Sequence, residues 1–162
     1  MKPVELIVGT YTHTNSFGIY RVKFDPDSMS MDTLGIATGI QNPTFLALHP
    51  KGSHVFAVSE IPTGLVYSYQ IAEDGDLILQ GVEGTGGAGP CHIELNGDGT
   101  SAVVSNYEGG SAAFFEIVSQ NVSRARIRLA IAKPRRRMGS DPRRAMGKAI
   151  LSMGHPTTNC FP

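Results

Sequence analysis

Apolar positions recur along this chain as short runs broken by turns, and the runs themselves recur. Pro43-Thr44-Phe45-Leu46-Ala47-Leu48-His49-Pro50-Lys51-Gly52 lines up with Pro90-Cys91-His92-Ile93-Glu94-Leu95-Asn96-Gly97-Asp98-Gly99 at an offset of 47 residues. The correspondence continues from Val55-Phe56-Ala57-Val58-Ser59 onto Ala102-Val103-Val104-Ser105-Asn106. It then passes through a glycine turn into Tyr67, Tyr69 and Ile71 against Ala113, Phe115 and Ile117. Each unit therefore reads as strand, turn, strand, turn, strand, and in the third strand the matched residues alternate with others at period two. That is the pattern of a strand with one face packed on a neighbouring sheet. In the complete unit the Asp74-Gly75 turn signal introduces a fourth strand, Leu77-Ile78-Leu79-Gln80-Gly81.

The start of the chain fits the same template from its second strand onward: Leu6 to Tyr11, Ile19 to Phe24, then Thr33 to Ala37. Four-stranded units of roughly 40 to 50 residues are the mark of propeller blades, in which each sheet buries its faces only against neighbouring sheets around a ring. The expected fold is all-β: about two and a half four-stranded antiparallel blades of an incomplete β-propeller, at about 4–40, 43–86 and 90–118. With the first strand of the first blade absent, ring closure would need the return of a distant C-terminal strand.

From about Ser119 the template fails, and the charge changes with it. Residues 1–118 carry 4 Lys/Arg against 13 Asp/Glu, a balance of minus 9, whereas the last 44 residues carry 10 Lys/Arg against Asp141 alone, a balance of plus 9. The segment 119–162 is expected to be a basic, non-repeating tail. It reads as the product of a shifted frame, an intron or an erroneous gene boundary, with a functional basic arm as the alternative, and a nucleic-acid partner is not expected despite the arginines. Cys91 and Cys160 form no CxxC or Cys/His cluster, so no zinc site or disulfide framework is indicated. With no apolar run long enough for a membrane span or a leader, a cytoplasmic protein is expected.

The words Val8-Gly9-Thr10-Tyr11-Thr12, Gly18-Ile19-Tyr20, Asn42-Pro43-Thr44-Phe45-Leu46, Gly89-Pro90-Cys91-His92-Ile93 and Ser105-Asn106-Tyr107-Glu108-Gly109-Gly110-Ser111 occur here in order. Together they resemble the lactonase-type seven-bladed propeller family that includes the bacterial 6-phosphogluconolactonases. The resemblance covers roughly residues 4 to 118, the N-terminal third of such a ring. It implies a cofactor-free hydrolase that opens a sugar lactone, 6-phospho-glucono-1,5-lactone to 6-phosphogluconate in the pentose phosphate route. Related propellers act on muconate-type lactones, and a non-catalytic scaffold or binding fragment is the alternative from a different class.

Lactone hydrolysis needs a base for water, donors for the oxyanion and a proton for the leaving alkoxide. His92 is a candidate because its repeat equivalent is Phe45: a titratable ring replaces an apolar one. A packing histidine is the plainer reading. Glu60, at the end of a second strand, is a candidate base, against a solvated loop carboxylate. Asn106, where the preceding unit has Ser59, is a candidate substrate-binding amide, against an Asx turn that shapes its loop. The glycine-rich Gly84-Thr85-Gly86-Gly87-Ala88-Gly89 lies between two strands and opens no helix, so it reads as a linker and not a phosphate cradle. A phosphorylated substrate calls for Arg or Lys, and the repeat region holds only Lys2, Arg21, Lys23 and Lys51.

Overall fold

The structure, a computed structural model, describes residues 1–118. The basic segment 119–162, including the break in the repeat, Cys160 and His155, lies outside the described residues. Ten strands and no helix occur among the described residues: β1 Val4–Val8, β2 Gly18–Asp25, β3 Ser30–Thr38, β4 Leu46–Leu48, β5 His54–Ser59, β6 Leu65–Ile71, β7 Leu77–Gly84, β8 Pro90–Leu95, β9 Ser101–Asn106 and β10 Ser111–Glu116. They form three sheets in chain order, β1-β2-β3, β4-β5-β6-β7 and β8-β9-β10, antiparallel throughout. The fold is thus all-β and a partial propeller, with one four-stranded blade between two three-stranded sheets.

Period-two alternation decides how the sheets stack. In β5 all six residues are buried, because the middle sheet has a neighbour on each face. Phe56 and Val58 point one way and join Val66, Ile93, Ala102, Val104, Ala113, Phe115 and Ile117 in the core between second and third sheets. Ala57 points the other way and joins Ile19, Ile40 and Tyr69 between the first and second. The repeat carries this polarity: Ala57 faces the preceding sheet, and so does its equivalent Val104.

Each outer sheet buries one face against its neighbour and leaves part of the other exposed. Ile7 and Ala37 pack towards the second sheet, while the alternate residues Val4, Leu6, Val8, Leu34 and Ile36 are 38 to 46% exposed. At the other end Ala113 and Phe115 are buried and Phe114 between them is 46% exposed.

The expected strands differ from the observed ones mainly at their ends. β1 stops at Val8, three residues before the expected Tyr11, because Gly9 leaves the sheet to lie against the second blade. A Cβ on Gly9 would sit 2.0 Å from the carbonyl oxygen of Pro43, so only glycine fits. Residues 10–17 are thereby released as a loop.

Candidate functional site

Five loops meet along one rim of the stacked sheets: 9–17 between β1 and β2, 39–45 before β4, 60–64 between β5 and β6, 85–89 before β8, and 107–110 between β9 and β10. Backbone bonds tie them together, Glu60 N to Asn42 O (3.0 Å), Thr85 N to Gly64 O (2.9 Å), Gly89 N to Ile61 O (3.1 Å) and Tyr107 N to Gly89 O (2.8 Å). Asn42, with φ of 44°, turns its side-chain oxygen to accept the N–H of Thr12 at 2.9 Å, which fastens the first sheet's loop to the second. The rim is therefore a connected framework and not a set of independent loops.

Glu60 stands at its centre. Its Oε2 accepts the Thr44 hydroxyl at 2.6 Å and the Tyr11 hydroxyl at 3.1 Å, donors from the second and first sheets. Its Oε1 has no hydrogen-bond partner among the described residues. The bond to Glu60, then burial and the charges of Glu60 and Cys91, hold the Tyr11 phenol above its ordinary value of 10. Tyr11 is accordingly a neutral donor at physiological pH. Burial, and after it the Glu60 charge, push the Cys91 thiol above its ordinary 9.0, so Cys91 is a neutral thiol and a poor nucleophile.

His92 is half-buried in β8, its ring centroid 4.4 Å from that of Phe45 with the planes at 48°. The two residues that correspond in the repeat are thus neighbours around the ring. Neither imidazole nitrogen is hydrogen-bonded to a described residue, so the ring is not tied up by backbone groups. Thr44 reaches Glu60 while the adjacent Phe45 packs on His92, so one dipeptide links the two candidates.

Asn106 lies deeper. It is fully buried, its Nδ2 donating to Thr85 O at 3.3 Å and Ser111 Oγ at 3.1 Å, while Oδ1 is enclosed without a partner. Its equivalent Ser59, also fully buried, donates to Gln41 O at 2.6 Å. Both residues bind the segment that leads into their own blade. The amide spans the 107–110 loop to Ser111 and forms no Asx turn, and Gly87 packs on it so closely that a Cβ there would sit 2.4 Å from Nδ2.

The glycine-rich segment is a loop, Thr85–Gly89, between β7 and β8 with no helix after it. None of the five loops carries Lys or Arg. Arg21 bonds Asp74 O and lies 3.5 Å from Asp76, joining the first two sheets away from the rim. Among the described residues no three His, Cys, Asp or Glu gather as metal ligands. Tyr11 and Thr44, the partners of Glu60, were not expected from sequence as site residues; the one available signal was their place in the words Val8-Gly9-Thr10-Tyr11-Thr12 and Asn42-Pro43-Thr44.

Comparison with known proteins agrees with this architecture. The family model described as lactonase, 7-bladed beta-propeller, matches residues 5–149, running past the point where the 47-residue repeat stops. A 6-phosphogluconolactonase of Formosa agariphila is 33% identical over 117 residues, 69% of this chain and 33% of the relative. The 6-phosphogluconolactonase of Bacillus subtilis is 27% identical over 112 residues, 68% of this chain and 32% of that one. In three dimensions the periplasmic gluconolactonase of Pseudomonas aeruginosa superposes with a TM-score of 0.68 at 28% identity, over 73% of this chain and 36% of its own. That neighbour is periplasmic, so the fold by itself does not assign a compartment; no helix among the described residues is long and apolar enough to cross a membrane. The chain spans about a third of the length of these relatives. With its stacked antiparallel sheets and the matching family model, the chain belongs to the lactonase family of seven-bladed β-propellers.

Proposed function

We propose that the rim around Glu60 and His92 is this chain's share of a site that hydrolyses a sugar lactone, with 6-phospho-glucono-1,5-lactone the first substrate to test. One observation carries the reading: a carboxylate whose Oε2 is held by donors from two sheets while Oε1 has no partner among the described residues. A fixed carboxylate with one free oxygen is suited to take a proton from water. Glu60 Oε1 removes that proton as the water oxygen attacks the lactone carbonyl. The tetrahedral adduct then collapses with cleavage of the ring C–O bond, and His92 donates an N–H proton to the departing alkoxide. Proton exchange with solvent returns Glu60 and the imidazole to their starting states, and the product is the open hydroxy acid. Asn106 supports the chemistry by holding the shape of the 85–89 and 107–110 loops.

The names of the two curated relatives support a phosphorylated sugar lactone, and that of the Pseudomonas neighbour supports a sugar lactone in general. Since the five loops contribute no cation, a phosphate is held by groups outside them. The chain spans about a third of its relatives' length, and displacing positioning groups costs about 100-fold or more, so slow turnover is expected. The test is hydrolysis of 6-phospho-glucono-1,5-lactone by the 162-residue chain, followed above the spontaneous reaction. A weak acceleration that disappears in Glu60→Gln and in His92→Ala is expected. No acceleration, or one that both variants retain, overturns the assignment.

A further inference from the structure

The bond between Tyr11 and Glu60 joins residues 49 apart in sequence and on different sheets, and its donor sits in the loop that begins at Gly9, where β1 has ended. Glu60 has no ion pair among the described residues, so two hydroxyl groups are its whole polar support. The two differ in kind. Thr44 belongs to the same blade as Glu60, whereas Tyr11 reaches across from the first sheet and is 48% exposed at the mouth of the rim. His13 packs edge-on to the Tyr11 ring at 5.3 Å, which steadies the phenol from its own loop.

We propose that Tyr11 is a positioning residue for Glu60: its hydroxyl, acting with Thr44, fixes Oε2 and so makes Oε1 the oxygen presented to water. This inference rests on Glu60 being the base. Without Tyr11 the carboxylate keeps its charge and its Thr44 bond but can rotate, so the water is activated by a group whose orientation varies. The consequence falls on kcat more than on KM, because the geometry matters when the proton moves and not when the lactone docks. Among the described residues, the Glu60 charge acts on Tyr11 from the first sheet and on Cys91 from the third.

The experiment has two arms on the 162-residue chain. In the first, phenolate absorbance of wild type minus Tyr11→Phe isolates the ionisation of Tyr11, and Glu60→Gln should move it down towards 10, because the neighbouring charge is removed and only a weaker, neutral amide oxygen is left to accept the bond. In the second, turnover is measured for Tyr11→Phe, Glu60→Gln and the double variant. Tyr11→Phe should lower kcat about tenfold, the scale of one hydrogen bond to a charged group, and should cost nothing further once Glu60 is Gln. Thermal unfolding of each variant checks that the sheets remain stacked. An unmoved Tyr11 titration, or additive losses in the double variant, overturns the positioning role. If Glu60→Gln leaves turnover unchanged while the Tyr11 titration moves, the hydrogen bond stands and it is the base assignment that fails.

Discussion

At the scale of single residues, the rim is shaped by side chains too small or too enclosed to be seen as functional. Gly9 is required by a carbonyl oxygen at 2.0 Å from where its Cβ would be, whereas Gly84, with nothing within 4 Å and no left-handed φ, has room for a methyl group. Gly9→Ala should therefore lower stability by about 1–3 kcal/mol through overpacking, while Gly84→Ala should change it little; paired urea titrations read the difference. Unchanged stability in Gly9→Ala would mean that the first loop is not pressed against Pro43. Away from the rim, His49 and His54 are both buried, with ring centroids 6.3 Å apart. Burial first, and then the charge of His49, lowers the His54 imidazole below its ordinary 6.5. The sign follows from linkage: the unfolded chain binds the proton more readily, so stability from His54 is intact above 6.5 and is lost as pH falls through the depressed folded value. The urea midpoint should fall as pH is lowered from 7 to about 5, and the fall should be shallower in His54→Gln. An equal fall in both would remove His54 from the account.

At the scale of strands and sheets, the repeat made most of the architecture legible. The offset of 47 places β4 and β5 over β8 and β9, and β6 follows over β10 at an offset of 46; the alternation of Tyr67 and Tyr69 against Ala113 and Phe115 marks one packed face, which in the structure lies against the preceding sheet. What sequence could not show is contact between sheets. Thr44 and Tyr11 lie 16 and 49 residues from Glu60, and neither spacing has a periodicity that would bring hydroxyl to carboxylate. The contrast of His92 with Phe45 was visible, but its physical meaning, two equivalent rings in contact, emerges only when the sheets are stacked. The stacking itself is testable at Phe56, fully buried in the core shared by the second and third sheets. Phe56→Ala should cost about 3–5 kcal/mol, a large part of the 5–15 kcal/mol typical of a domain, and should broaden amide signals of Ile93 and Phe115 along with those of β5. Disturbance confined to β5 would contradict a shared core.

At the scale of the whole molecule, the described residues end in two half-buried sheets. Val4, Leu6, Val8, Leu34 and Ile36 line the outward face of the first, and Phe114 that of the third. Propeller sheets gain most of their stability from burial between neighbours, and contiguous apolar surface of this kind drives association. The purified chain should therefore self-associate as its concentration rises, and Leu6→Lys with Phe114→Lys should reduce this, as read by light scattering during gel filtration. A monomer at all concentrations would mean that those faces are already covered. The claim on which the functional account depends is that Glu60 and His92 belong to a lactone-hydrolysing rim, and a complete ring tests it most directly. Residues 1–118 would replace the matching third of the Formosa agariphila relative, and the chimera's hydrolysis of 6-phospho-glucono-1,5-lactone would be compared with that of its Glu60→Gln and His92→Ala forms. A folded, active chimera is expected, with kcat dropping roughly 100- to 10,000-fold in each variant; variants that fold and keep the chimera's rate would rule out both catalytic roles.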